Sequence, residues 1–509
     1  MTSQAARKIE QDNSFRRESV RADAGNAETL RAFNLAPLTA ALPLRNTRKP
    51  LRLFIASDIA ALIAASMLSW LAALAINENF FGRAGQGFFS IEHLTHLAHF
   101  GVIGAGLLLW LNHRGHYRTR LPFWTEIQHI VTGAGFCILL DSFLQFAGKQ
   151  DLSRLWLVGS WLFAGIMIAA LRPAARWWLQ RQGVWHIRTL IVGDGPTAQD
   201  ARAAIDSEKQ LGYRVVGQID DWAEQLADAR GSWTRLCNWH GADFVLAALD
   251  GEELRHGEDM FANLTREQVP FAISPPLRGV PVLGMEAQCF FNHDVMLLTH
   301  CNRLEEALPR FVKRGFDIAV SGAVLLATMP LFVIVALLIR RDGGPVFYSD
   351  RRIGAGGAMF GCLKFRSMIV EAEKVLKNTL ATHPAAAAEW AHTQKLRNDP
   401  RITKIGAFIR KTSIDELPQL LNVLRGEMSL VGPRPMMVSQ AGIYGRDVGF
   451  YEQVRPGITG LWQISGRNDV SFERRVELDR WYVRNWTLWH DIAILFKTVP
   501  VLLLRKGAY

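Results

Sequence analysis

The sequence predicts a membrane protein of the mixed α and α/β class. Four N-terminal transmembrane helices are followed by a small Rossmann-like α/β domain and by a C-terminal domain with a re-entrant membrane helix. Hydrophobic residues make up 49% of the 509 residues, with 16 Trp and 28 Phe, which exceeds the usual content of soluble domains. Four long apolar runs precede residue 172, and short Val- and Ile-rich runs alternate with polar stretches after residue 186.

The charge indicates the kind of partner that the protein binds, and the cysteine spacing argues against two kinds of site. There are 58 basic and 47 acidic residues, and the net charge of +11 favours an anionic partner such as a lipid headgroup or a nucleotide. The five cysteines contain no Cys-x-x-Cys pair, so the sequence predicts neither a zinc site nor a disulfide framework. Residues 1–50 are polar and Arg-rich, and we interpret them as a disordered basic leader without a cleavable signal.

The four apolar runs are each close to the roughly 20 residues that a membrane-spanning helix needs. They form a predicted four-helix transmembrane bundle over residues 51–172. Arginine and lysine residues cluster before the first helix, between the second and third, and after the fourth, which places both ends of the bundle in the cytoplasm. The runs cover residues 51–76, 94–111, 127–147 and 155–171.

Residues 186–301 are predicted to form the small α/β domain. Its first strand leads into Gly193-Asp194-Gly195, which resembles the start of a dinucleotide fingerprint, but Ala198 stands at the third glycine position. A tight strand-to-helix turn with no bound nucleotide is the simpler interpretation. The domain is therefore predicted to be a degenerate nucleotide-binding-like fold.

A fifth apolar run, residues 318–339, has two basic residues on each side and Pro330 near its middle. A straight span would carry everything after it to the other side of the membrane, and proline bends or breaks helices. A re-entrant helix that breaks at Pro330 and returns to the cytoplasmic side accommodates both features. A straight fifth span remains the alternative on the sequence alone.

Basic residues are dense after this run. A predicted hairpin carries Lys364 and Arg366, which share one strand face by the period of two and are suited to one pyrophosphate. A solvated basic strand over anionic lipid is the alternative. Arg434 and Arg455 stand in proline-fixed turns that can present a guanidinium group to phosphate. For either motif taken singly, an ordinary loop with a solvent-facing arginine is the simpler interpretation.

The adjacent carboxylates Asp415 and Glu416 lie among basic and hydroxyl residues, close to Arg410. One carboxylate can attack phosphorus while the other holds a divalent metal ion. Ser413 and Glu416 also have the spacing of a helix capping box, which is a purely structural alternative. Pro418 counts against that alternative, because it would fall beyond the first turn of such a helix.

Together these motifs resemble the monotopic polyprenyl-phosphate glycosyl-1-phosphate transferase superfamily over residues 304–509. The whole chain looks like the large members of this superfamily. Within them it is most similar to the undecaprenyl-phosphate galactose phosphotransferase group, through Glu389-Trp390, Lys395-Leu396, Asp399-Pro400-Arg401-Ile402-Thr403 and Gly507-Ala508-Tyr509. The resemblance implies a catalytic domain with a re-entrant helix broken at Pro330, a catalytic dyad at Asp415 and Glu416, and Mg²⁺ held by that dyad. It also implies roles in phosphate handling for Lys364, Arg366, Arg410 and Arg434, and a further acidic position at Asp479. Asp350 departs from the pattern, since many members carry Gln there.

The implied reaction transfers a hexose 1-phosphate from a UDP-hexose to undecaprenyl phosphate at the bacterial inner membrane, with the catalytic domain facing the cytoplasm. It would begin the assembly of an exopolysaccharide, capsule or O-antigen unit. Galactose is expected from the group resemblance alone, and glucose is the alternative. The expected partners are these two substrates and the lipid bilayer, without nucleic acid, and both monomer and homodimer stay open.

Two other functions compete with this one. A nucleotide-sugar dehydratase or epimerase would need a Tyr-x-x-x-Lys pair, and none of the seven tyrosines has Lys four residues later. A non-catalytic membrane scaffold for polysaccharide assembly would use the basic surface only to hold anionic lipid. The reaction itself is open between a two-step route through an Asp415 phosphoryl intermediate and direct attack by the lipid phosphate.

Overall fold

A computed structural model describes residues 52–81, 91–148, 154–255, 257–277, 279–280, 285–289, 296–300, 306–393, 396, 399–465 and 471–503. The predicted leader, residues 1–50, lies outside these ranges. The chain divides into two compact units, Met1–Pro276 and Leu277–Tyr509, and each is described by itself.

The first unit begins with four long apolar helices, which agree in position with the four predicted runs and extend beyond them. Each is long and apolar enough to cross a membrane. The helices are α1 (Leu53–Phe81), α2 (Ile91–His113), α3 (Phe123–Ala147) and α4 (Arg154–Arg181).

A buried ion-pair network joins these helices at one end of the bundle. Arg172 of α4 contacts Asp58 of α1 at 2.5 Å and Glu126 of α3 at 2.7 Å, and Arg176 also pairs with Glu126. The hydroxyl of Tyr117 donates a hydrogen bond to Asp58 at 2.6 Å. Because isolated charges are costly away from water, this mutual pairing fixes which helix ends lie together.

An α/β domain follows. Its four strands, β1 (Ile187–Val192), β2 (Tyr213–Ile219), β3 (Phe244–Ala247) and β4 (Phe271–Ile273), form a parallel sheet in the order β2-β1-β3-β4. Its helices are α5 (Pro196–Ser207), α6 (Trp222–Asp228), α7 (Trp233–Trp239), α8 (Gly251–Arg255) and α9 (Glu258–Arg266).

The glycine turn after β1 is closed by a side chain of the same domain. Asp250 accepts hydrogen bonds from the backbone N–H of Thr197, at 3.1 Å, and from its hydroxyl. A Cβ added at Gly195 would come within 2.1 Å of the Asp250 carboxylate. The carboxylate therefore occupies the N-terminus of α5, where a nucleotide phosphate binds in dinucleotide-binding folds.

The second unit starts with the antiparallel hairpin of β5 (Met285–Cys289) and β6 (Met296–His300). The sequence predicts that the α/β domain continues to residue 301. The structure instead ends the parallel sheet at Ile273, because this hairpin pairs with itself and the carbonyl of Gly279 accepts a hydrogen bond from Arg484 of the second unit.

The rest of the second unit surrounds one long helix and a basic hairpin. Its elements are α10 (Ala307–Arg340), β7 (Phe347–Ile353), β8 (Met359–Phe365), α11 (Ala372–Thr382), α12 (Pro384–Thr393), α13 (Lys404–Lys411), α14 (Gln419–Arg425), β9 (Ser429–Val431), α15 (Ala441–Tyr444), α16 (Val448–Glu452), β10 (Gly457–Thr459), α17 (Leu461–Ile464), α18 (Phe472–Arg484) and α19 (Leu488–Leu503).

Both ends of α10 are bound to this second unit. Near the N-terminal end, Lys313 forms an ion pair with Asp491 of α19 at 2.6 Å. Near the C-terminal end, Val335 and Ile339 are buried in a cluster with Phe365 and Ile409. Several residues in the middle of the helix are exposed, among them Leu326, which is 72% exposed, and Met329, which is 54% exposed.

Pro330 lies inside α10 and does not end it, because helical structure continues to Arg340. A straight helix of 34 residues would be about 50 Å long. Proline removes one backbone hydrogen bond and commonly bends a helix, so Pro330 marks the position where a bend in α10 is expected.

We predict that Asp250→Ala will weaken the start of α5, since the Thr197 N–H loses its acceptor. The free energy of local opening should fall by about 1 kcal/mol, the usual value of a helix cap. Hydrogen exchange of the amides of residues 197–200 would then accelerate about fivefold, and added sulfate should slow it again by binding the vacated site.

Asp221→Ala is the matched control, because Asp221 caps α6 through the N–H of Glu224 at 3.2 Å, away from the glycine turn. Sulfate should not restore the exchange rates of that variant. Unchanged exchange in Asp250→Ala would contradict the proposed role of the carboxylate.

Candidate active site

The carboxylate pair lies in a short turn between two helices. Helix α13 ends at Lys411, residues Ile414–Glu416 form one 3₁₀ turn, and α14 begins at Gln419 after Pro418. Ser413 adopts a left-handed conformation with φ of 56°, and its side chain makes no capping hydrogen bond. The capping-box alternative is therefore wrong, and a strained residue lies two positions before Asp415, as often occurs at functional sites.

An asparagine holds this turn against the basic hairpin. The side chain of Asn422 on α14 accepts a hydrogen bond from the N–H of Leu363 at 3.0 Å and donates one to the carbonyl of Gly361 at 2.8 Å. Both backbone groups belong to β8, so the helix is fixed along that strand. Lys364 on the same strand then reaches Glu416 at 2.7 Å.

The hairpin presents one face to an open cleft. In its register Asp350 pairs with Cys362 and Arg352 with Phe360, so Arg352, Cys362 and Lys364 share that face. The cleft has a volume of about 290 Å³ and contains three cationic side chains and one carboxylate. Its lining residues are Arg352, Cys362, Lys364, Glu416, Gln419, Arg434, Pro435, Ile458 and Gln463.

Asp415, beside the cleft, has an altered acidity. Burial, and next the negative charge of Glu416, raise the pKa of Asp415 to about 6, while the positive charges of Lys364 and Arg410 act in the opposite direction. Burial and the neighbouring carboxylate thus disfavour the ionised form of Asp415. Such a pair is suited to a cation or to an electrophilic phosphorus.

Arg366 does not join Lys364 in the cleft. Strand β8 ends at Phe365, so the alternation that would place both residues on one face stops between them. Arg366 is buried and donates hydrogen bonds to the carbonyl of Pro345 at 2.7 Å and to that of Ile339 at 3.3 Å, and it pairs with Asp342. In this position it stabilises the carbonyl end of α10.

Two other predicted positions also lie apart from the cleft lining. Partial burial and the nearby charge of Arg314 lower the pKa of Arg455, which places this residue beside α10. Asp479 is buried and accepts a hydrogen bond from Tyr444 at 2.9 Å, and burial raises its pKa to about 7. Arg434 lines the cleft, as expected for a phosphate ligand, and lies 5.9 Å from the ring of Trp462.

Three residues that line the cleft are not among the site residues predicted from the sequence: Arg352, Gln419 and Gln463. Arg352 could have been found from the hairpin register, because the turn after Ile353 places it on the same face as Lys364. It donates a hydrogen bond to the carbonyl of Pro435 at 3.2 Å and pairs with Asp350 at 2.5 Å. No sequence signal distinguishes the two glutamines from ordinary polar residues.

Asp415 and Glu416 fit a magnesium ion, because their mutual repulsion is relieved by a divalent cation. In the part of the chain that the structure describes, no group of three or more His, Cys, Asp or Glu side chains could form a complete cage. Magnesium commonly needs only one or two carboxylates together with substrate phosphates and water.

Comparisons with known proteins cover both units. A family model described as bacterial sugar transferase matches residues 308–505, which include the dyad, the hairpin and the cleft. A model described as CoA-binding domain matches residues 112–237. The residues present do not fit CoA at the glycine turn, because the Asp250 carboxylate occupies the position of a phosphate.

Three relatives extend over most of the chain. A UDP-galactose-lipid carrier transferase of Erwinia amylovora is 41% identical over 412 residues, covering 79% of this chain and 85% of the relative. An undecaprenyl-phosphate galactose phosphotransferase of Salmonella typhimurium is 41% identical over 409 residues, with the same coverage of both chains. A UDP-glucose:undecaprenyl-phosphate glucose-1-phosphate transferase of Escherichia coli is 31% identical over 365 residues, covering 65% of this chain and 71% of the relative.

We predict that Asp350→Asn will strengthen the binding of inorganic pyrophosphate to the cleft, because Arg352 loses a competing anion. A partly exposed ion pair is worth up to about 1 kcal/mol, so affinity should rise by no more than about fivefold at low salt. Titration calorimetry of the detergent-solubilised protein measures this change.

The matched control is Asp447→Asn, which removes the carboxylate of another partly exposed pair, with Arg480 at 3.3 Å, away from the cleft lining. Pyrophosphate affinity should not change in this variant. Weaker or unaltered binding by Asp350→Asn would show that Asp350 does not compete for Arg352.

Proposed function

This chain belongs to the bacterial sugar transferase family and is an undecaprenyl-phosphate sugar-phosphate transferase, and from this premise we propose that UDP-galactose is its donor. Galactose 1-phosphate is transferred to undecaprenyl phosphate, and UMP is released. The observation that carries the proposal is the Asp415–Glu416 pair beside a cleft with three cationic side chains.

The geometry suits a two-step transfer. A carboxylate oxygen of Asp415 attacks the β-phosphorus, the bond from that phosphorus to the oxygen bridging the two phosphates breaks, and UMP leaves with the electron pair. An oxygen of undecaprenyl phosphate then attacks the same phosphorus and releases Asp415. The left-handed Ser413 and the Asn422 contacts to β8 fix the position of the nucleophile before substrate binds.

The cationic side chains neutralise the phosphate groups. Lys364, Arg352 and Arg434 line the cleft and supply charge-assisted hydrogen bonds to the pyrophosphate oxygens. Arg410 lies at the C-terminal end of α13, where its charge favours the ionised form of Asp415. We assign Arg366 and Asp479 a supporting role, because their contacts lie within the fold.

Asp415 and Glu416 are the residues that would hold Mg²⁺. When bound, the ion would neutralise charge on the donor phosphates and on the leaving UMP. Glu416 pairs with Lys364 at 2.7 Å, and this lysine would be released to contact phosphate if Glu416 held the metal ion.

Galactose is favoured because the two 41% identical relatives are named for galactose, whereas the glucose-named relative is 31% identical. UDP-glucose is the second candidate donor on the strength of that third relative. The product is a sugar linked to a lipid pyrophosphate, which glycosyltransferases can extend. We therefore propose a place at the start of exopolysaccharide, capsule or O-antigen assembly.

The chain is membrane-associated, with five helices that are long and apolar enough to cross a bilayer among the described residues. We propose that it resides in the inner membrane with the second unit facing the cytoplasm, where UDP-sugars are made. Both ends of α10 contact that unit. These contacts support a re-entrant path, because the two ends of a helix that are bound to one water-facing unit lie on the same side of the membrane.

We predict that membranes containing this protein, undecaprenyl phosphate and Mg²⁺ will release UMP faster from UDP-galactose than from UDP-glucose. Asp415→Asn should lower the rate by more than about 10³-fold, because an amide does not attack phosphorus. Asp447→Asn, outside the cleft lining, is the control and should retain the wild-type rate.

Faster release from UDP-glucose would reverse the assignment of the sugar, and near wild-type release by Asp415→Asn would exclude it as the nucleophile. Radiolabelled sugar phosphate should also become attached to the wild-type protein when lipid acceptor is withheld. Absence of trapped label would favour direct attack by the lipid phosphate.

We predict that single cysteines placed at positions 310 and 342, in a background without the five native cysteines, will be labelled from the same side of the membrane. Membrane-impermeant maleimide applied to inside-out and right-side-out vesicles makes the measurement. A cysteine in place of Arg446 reports the side of the catalytic unit. Labelling of positions 310 and 342 from opposite sides would establish a straight span.

A further inference from the structure

Part of the cleft lining is not explained by phosphate chemistry. Gln419, Ile458 and Gln463 line the same space as Lys364 and Glu416, but they carry amide and aliphatic groups. Cationic side chains account for the pyrophosphate of a nucleotide sugar. Neutral lining residues are suited to contact an uncharged part of the ligand.

The orientation of the Gln463 amide is fixed by the backbone. Its nitrogen donates a hydrogen bond to the carbonyl of Ile458 at 3.2 Å, and a carbonyl can only accept, so the amide nitrogen must lie on that side. The oxygen Oε1 faces away from it. This oxygen is buried and has no hydrogen-bond donor among the residues that the structure describes.

Buried acceptors without a donor are rare, because each costs about 1–3 kcal/mol. The surrounding backbone nevertheless preserves this one. A Cβ at Gly460 would approach Oε1 to 3.1 Å and the carbonyl of Gly432 to 2.3 Å, so only glycine keeps the two segments in place. Gly432 begins the loop that carries Arg434. The close approach of Gly460 to Gly432 therefore fixes the position of Gln463 relative to Arg434, a predicted phosphate ligand.

We propose that Gln463 Oε1 accepts a hydrogen bond from a donor group in the neutral part of the nucleotide sugar, either a hexose hydroxyl or the N3–H of uracil. Phosphate oxygens at neutral pH only accept hydrogen bonds, so they cannot satisfy this oxygen. Hydroxyl groups and the uracil N–H are the donors that a UDP-hexose carries. This inference rests on the proposed function and assigns a substrate-binding residue within it.

The test compares Gln463→Met, which keeps the size and removes the acceptor, with Gln453→Met, which replaces an exposed glutamine of the same unit. The values of kcat and KM are measured with UDP-galactose and UDP-glucose, and the inhibition constant is measured with UMP. Gln463→Met should raise KM by about threefold to tenfold, as expected for one hydrogen bond, with little change in kcat. Gln453→Met should match the wild type.

The changes in KM, in kcat/KM and in the UMP inhibition constant show whether uracil or the hexose supplies the donor group. If uracil N3–H is the donor, KM for both sugars and the UMP inhibition constant rise by the same factor, and N3-methyl-UDP-galactose is a poor donor for the wild type but no poorer for Gln463→Met. If a hexose hydroxyl is the donor, UMP inhibition is unaltered and the ratio of kcat/KM between the two sugars changes.

Wild-type kcat/KM for every donor in Gln463→Met would overturn this inference and leave the proposed function intact. A fall in kcat alone, with unchanged KM and UMP inhibition, would also overturn it, because it would indicate a structural role. An inactive wild-type protein with all UDP-hexoses would overturn the proposed function, and this inference with it.

Discussion

The candidate site depends on the two hydrogen bonds between the Asn422 side chain and the backbone of β8. This strand has a hairpin partner on one side only, so its other edge presents unpaired N–H and carbonyl groups. One carboxamide satisfies a donor and an acceptor of that edge, at 3.0 and 2.8 Å. The dyad is carried by the turn that precedes α14, and Lys364 by the strand, so this single side chain sets the distance between them.

The sequence predicted the parts of the fold that depend on local pattern. The four apolar helices and the first three strands of the α/β domain follow directly from hydrophobic periodicity, and the hairpin around Gly356 follows from its turn residues. The position of Arg366 did not follow, because the period of two predicts a shared face only while a strand continues, and β8 ends one residue earlier. Arg455 and Asp479 are likewise placed by tertiary contacts that no local spacing encodes.

The conformation around the dyad could also be predicted only in part from the sequence. The Ser413 and Glu416 spacing allowed both a capping box and a functional turn, and the choice depends on one backbone angle, the φ of 56° at Ser413. Arg352 was accessible to sequence reasoning through the register of the hairpin. Gln463 was not, because its significance lies in an orientation imposed by the carbonyl of Ile458 and in burial by residues distant in the chain.

The carboxylate of Asp250 gives the α/β domain a property that nucleotide-binding folds usually lack. Many such domains reach full stability only when their cofactor is present, so their abundance follows the supply of a metabolite. Here the anion at the start of α5 is part of the polypeptide and is present from the moment of synthesis. The N–H and hydroxyl of Thr197 are therefore satisfied by the polypeptide itself, so the start of this helix needs no bound phosphate in order to form.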